Sequence, residues 1–100
     1  MSWLKTNNYY NREVVTCDVW SKKISEKRII YLQDSKEDYF TYTFSCGAHS
    51  EYSFTGCFFG TSIDNLEKAK EWIDKFSELY FLNKRNEIKK LRESIKLKQN

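Results

Sequence analysis

Residues 61–100, TSIDNLEKAKEWIDKFSELYFLNKRNEIKKLRESIKLKQN, decide the fold, because they read as one long helix that fills two-fifths of the chain. At 100° per residue, Leu66, Ala69, Ile73, Phe76, Tyr80, Ile88, Leu91 and Ile95 fall within one arc of roughly 120°. The arc runs on to Lys96, with Asn83 as the weak point where the helix could bend. Thr61 or Ser62 serves as N-cap, with Asp64 and Glu67 in the first turn, where the helix dipole favours negative charge. A helix of 35 residues would be about 52 Å long. A small sheet is only about 20 Å across. The first half is therefore expected to close a core, and the half beyond Phe81 to project past it.

Working back toward the N-terminus, four strands are expected, over residues 13–21, 27–33, 39–46 and 51–59. Residues 22–26 (KKISE) and 34–38 (DSKED) read as polar connections. The third strand alternates most clearly. Phe40, Tyr42, Phe44 and Cys46 share one face, and Tyr39, Thr41, Thr43 and Ser45 share the other. In the fourth, Tyr52, Phe54 and Phe58 continue the aromatic face. Gly56 interrupts that face and suits a bulge or a close approach by the helix. Residues 1–11 carry no clear pattern. The expected fold is α+β, a single domain over 1–100. An N-terminal arm and a four-stranded antiparallel meander occupy 1–60, and one long helix, 61–98, is packed on the meander's aromatic face with its distal half projecting.

Composition narrows the class. The chain has 100 residues, 40% apolar and 17% aromatic, which suits one folded domain rather than a disordered chain. No apolar run approaches the roughly 20 residues that span a bilayer. The first residues lack a signal-peptide core, so the expected setting is cytoplasmic with no membrane partner. Phe, Tyr, Met, Ile, Asn and Lys supply 42 residues, against 9 for Gly, Ala, Arg and Pro. That bias points to an AT-rich gene of the kind many phages and low-GC bacteria carry.

Charge is segregated. Residues 1–81 hold 10 Lys/Arg and 12 Asp/Glu, whereas 82–100 hold 7 and 2. Beside the apolar arc runs a stripe that begins acidic, with Glu67, Glu71, Asp74 and Glu78. It ends basic, with Arg85, Lys89, Arg92 and Lys96. Both halves step 4, 3, 4, and the sign changes between Phe81 and Leu82. Such a stripe is complementary to itself when antiparallel, so a two-fold homodimer through the helix is expected, covering Ile88, Leu91 and Ile95 as well. The plainer explanation is that acids early and bases late simply match the dipole of one helix.

Chemistry is sparse. Cys17, Cys46, His49 and Cys57 give the ligand count of a structural zinc site, but without the paired knuckles such sites show. Cys46 or Cys57 with His49 as a nucleophile–base pair lacks an orienting third group and an oxyanion loop. With three glycines there is no phosphate loop. The chain is therefore read as a non-enzyme without metal or cofactor. The expected function is protein interaction, with itself and with a host protein that a phage or mobile-element factor would inhibit or adapt. The alternative is a nucleic-acid-binding protein using Arg85, Lys89, Arg92 and Lys96 on phosphates, with Tyr39 as a stacking residue.

Residues 56–74, GCFFGTSIDNLEKAKEWID, resemble the end of AP2-type DNA-binding domains. That family has a three-stranded sheet, a G-x-F-x-T-like turn and an Ala-containing helix. The Arg and Trp residues with which its sheet reads bases are missing here, so the resemblance carries no site residues across.

Overall fold

The alternation that marks the third strand persists in space. A computed structural model of the chain describes residues 3–6, 9–10, 13–14, 18–34, 42–47, 53–58 and 60–95. It divides into two compact units, Met1–Phe59 and Gly60–Asn100.

In the first unit the strands are β1 (Leu4–Lys5), β2 (Tyr9–Tyr10), β3 (Glu13–Val14), β4 (Asp18–Ser25), β5 (Arg28–Asp34), β6 (Tyr42–Cys46) and β7 (Phe54–Cys57). Five of them form one antiparallel sheet in the order β1-β4-β5-β6-β7, and β2 pairs with β3 separately. The four-stranded expectation is therefore corrected to five strands plus a small hairpin. The expected first strand, 13–21, splits. Glu13 and Val14 pair with Tyr9 and Tyr10, while the sheet strand starts at Asp18 and continues through Lys22, Lys23 and Ser25. Those residues read as a polar connection. Their backbones nonetheless pair with Arg28, Ile29 and Ile30, so ladder bonds outweigh side-chain polarity there.

Facing residues of an antiparallel pair share a side of the sheet. Trp20, Leu32, Phe44 and Gly56 lie in one such row, and Ile30, Cys46 and Phe54 in the next. Ile30, Leu32, Tyr42, Phe44, Cys46 and Phe54 are all buried. The opposite side carries Tyr31, Thr43, Ser45, Thr55 and Cys57, half-buried to exposed. Thus one face is aromatic and the other rich in Thr and Ser, as the alternation predicts. The missing side chain at Gly56 has a reason in its own sheet: a Cβ there would lie 2.5 Å from Cζ of Phe44 on the neighbouring strand. Phe44 is packed by Phe58 at 5.1 Å and Phe54 at 6.1 Å, so its ring has little room to retreat. The close approach foreseen at Gly56 comes from a cross-strand ring.

In the second unit the single helix is corrected to two, α1 (Leu66–Phe81) and α2 (Arg85–Ser94). The cap of α1 is Asn65, whose side-chain oxygen accepts from the Lys68 N–H at 2.9 Å. Thr61 and Ser62, the expected caps, are used otherwise. Thr61 Oγ1 accepts from the Ile63 N–H at 3.2 Å, and the Ser62 N–H donates to the Ile95 carbonyl at 2.7 Å.

The break falls at Asn83, with φ of 57°. Leu82 is the C-cap; the Asn83 N–H donates to Tyr80 and the Lys84 N–H to Leu79. These are the two bonds of a Schellman motif, with asparagine supplying the left-handed residue that a glycine more often supplies. The chain then reverses. The Trp72 Nε1–H points at the Leu91 carbonyl, 3.5 Å away, and Ser62 meets Ile95, so α2 runs back antiparallel along α1 as a helical hairpin. Residues 82–95 do not project as the continuation of one rod. Ile88, Leu91 and Ile95, which needed a surface, are half-buried against their own chain. Among the described residues no helix is long and apolar enough to cross a membrane.

Candidate functional site

Trp72, Phe76, Tyr80 and Phe81 follow one another along the inner side of α1. Trp72 stacks on Phe76 at 5.0 Å, Phe76 meets Tyr80 at 5.8 Å, and Tyr80 meets Phe81 edge-on at 5.6 Å. Trp72 and Phe76 are buried, and Tyr80 and Phe81 half-buried. α2 lies beside this ladder and places the Arg92 guanidinium 5.3 Å from the Phe76 ring centre, within cation–π range.

Between the helices is an open groove of about 560 Å³ lined by Phe76, Tyr80, Ile88, Arg85, Lys89, Arg92 and Glu93. Its walls are aromatic and aliphatic, and its rim carries three cations against one carboxylate. Three of the four basic residues singled out from the 4, 3, 4 spacing therefore meet at one site; Lys96 lies outside the described residues. The apolar arc places Tyr80 and Phe76 in a core, and their second role as groove wall appears only once the chain reverses. A smaller groove of about 260 Å³ involves Lys68, Glu71, Trp72, Lys75 and Leu91.

The acidic half of the stripe lies on α1, with Glu67, Glu71 and Glu78 exposed and Asp74 half-buried. Glu67 pairs with Lys70 at 3.6 Å. Among the described residues, Glu71, Glu78, Arg85 and Lys89 form no ion pair. Phe81 closes the aromatic ladder, and Leu82, at the turn, is 60% exposed.

The break changes the electrostatic meaning of the stripe. In one continuous helix, acids early and bases late would suit the dipole. With two helices, Glu78 sits in the last turn of α1, which holds no basic residue, and Arg85 opens α2. Each is at the end where the dipole disfavours its sign, at a cost of about 0.3–1 kcal/mol. Like charges three and four residues apart add repulsion within each helix. Glu67 at the start of α1 and Arg92 at the end of α2 keep the favoured placement, so the break turns the dipole against the stripe only beside the turn.

Cys46 and Cys57 do not converge. Cys46 faces Phe54 and Cys57 faces Thr43, so the two lie on opposite sides of the sheet. Cys46 is buried and Cys57 exposed, while Cys17 and His49 lie outside the described residues. Burial raises the Cys46 thiol above its ordinary value, only partly offset by the Arg28 charge, so it is a poor nucleophile. Among the described residues no three His, Cys, Asp or Glu side chains are grouped to hold a metal. Tyr39, the stacking residue expected on the Thr/Ser face, also lies outside the described residues.

No family model, no curated protein and no solved structure matches the chain. The likeness of residues 56–74 to AP2-type domains is thus confined to that short stretch.

Proposed function

We propose that the chain is a non-enzymatic protein-interaction module whose recognition element is the α1–α2 hairpin, acting as a small adaptor or inhibitor would. One observation carries the reading: Arg85, Lys89 and Arg92 stand together on the rim of a groove walled by Phe76, Tyr80 and Ile88. Such a site suits an acidic protein segment with an apolar anchor. The anchor gains from burial in the groove, and the cations fix orientation and speed encounter. The test is titration of a short peptide of alternating Glu and Leu against the wild-type chain and against R85E/K89E/R92E. Affinity should fall at least about tenfold in the variant, the equivalent of 1.4 kcal/mol. Equal binding by both chains would sink the reading.

A second reading, nucleic-acid binding, draws on the excess of 7 cations over 2 acids in residues 82–100. It predicts a distinct salt signature. Three phosphate contacts give a slope of log affinity against log salt near −3 for duplex DNA, which the variant would abolish. Duplex DNA that fails to bind while the acidic peptide does decides for protein.

A further inference from the structure

We infer that the partner at this groove is a second copy of the chain, whose α1 acidic stripe docks on the α2 basic stripe. This rests on the protein-interaction reading and names its partner. The starting point is that Glu78 and Arg85, on either side of the turn, stand at the disfavoured ends of their helices, and that each stripe sets like charges three and four residues apart. What they do offer is spacing. Set antiparallel, Glu78 falls opposite Arg85, Asp74 opposite Lys89, and Glu71 opposite Arg92, and every pair is centred between Phe81 and Leu82. The inner contact of Trp72 with Leu91 within one chain has the same centre. Helix α1 can therefore accept α2 of a partner in the register it already uses for its own.

Two-fold symmetry repeats every contact, because a surface that is acidic on α1 and basic on α2 is its own complement. The result is four helices alternating in direction, with both turns at the same end. That geometry brings together the two copies of Leu82, an exposed large apolar residue beside the turn. Exposed ion pairs are individually weak, so their part is to select register and reject misaligned copies. The association is accordingly expected to be salt-sensitive.

The test uses two full-length variants. One carries E71K/D74K/E78K and the other R85E/K89E/R92E. Sedimentation equilibrium of the wild type should show dimer below about 1 mM, and each variant alone should weaken dimerisation at least about tenfold. Mixed in equal amounts, the two variants should recover the dimer, because both helix contacts are again opposite in sign. A chain carrying all six changes should also dimerise, which shows that the substituted surfaces still fold. A wild type that remains monomeric, variants that dimerise as the wild type does, or a mixture that stays monomeric would each overturn the inference. If the dimer fails while the acidic peptide still binds the wild type and not R85E/K89E/R92E, the docking reading stands and only the partner is wrong.

Discussion

Helices α1 and α2 come from one stretch with one apolar arc, yet they are held very differently. Ala69, Trp72, Ile73, Phe76 and Ser77 of α1 are buried; α2 buries none of its residues. Asn65 caps α1 through its side chain, whereas Lys84 begins α2 with no side-chain cap. The hairpin thus has one helix held deeply and one held lightly. α2 keeps its cations exposed because it buries so little. Local stability of this kind commonly separates scaffold from binding surface.

The contrast can be broken by mutation, most strongly in the core. Phe76→Ala should cost about 3–5 kcal/mol of unfolding free energy, as large aromatic truncations in packed cores do. Leu91→Ala, on the half-buried face of α2, should cost about 1–2 kcal/mol. Urea titration of both variants measures the difference, and equal losses would contradict it. Capping comes next. Asn65→Ala removes the acceptor for the Lys68 N–H and should cost about 1 kcal/mol. Lys84→Asp supplies α2 with a cap and a favourable charge, and should gain about 0.5–1 kcal/mol. Thermal unfolding should show shifts of opposite sign.

The smallest expected effect lies in the sheet and should leave the helix contrast intact. Burial raises the Cys46 thiol, so its neutral form is favoured in the folded state. That contribution is fully present below the ordinary thiol value, about 8.5. It is lost as pH climbs through the raised value, because ionisation then favours the unfolded chain. Stability measured from pH 7 upward should fall in the alkaline range, and Cys46→Ala should flatten that part of the decline.

Much of the sheet was legible in the sequence, and for a clear reason. Over 42–46 the period of two places Tyr42, Phe44 and Cys46 on one side, and nothing in the stretch competes with that pattern. Lys22 to Ser25 was not legible, because the pairing there is carried by backbone bonds to which side-chain polarity gives no clue. The helix break at Asn83 was legible only as a weakness. The apolar arc continues in phase across it, since both helices need an apolar side. The deciding fact is that asparagine tolerates a positive φ and that two backbone bonds reward it. The cations of the site could be found from their 4, 3 spacing. Its aromatic wall could not, because Phe76 and Tyr80 look the same in sequence whether they fill a core or border a groove.

One hydrogen bond noted above has a wider consequence. The Ser62 N–H donates to the Ile95 carbonyl, fastening together two points 33 positions apart in the chain. Entrance and exit of the hairpin therefore coincide, as they do in an inserted module whose ends meet at one junction. A segment built this way can be spliced into a surface loop of an unrelated host protein without stretching either flank. The 62–95 portion is in this sense a closed excursion of the chain, entered and left at one point.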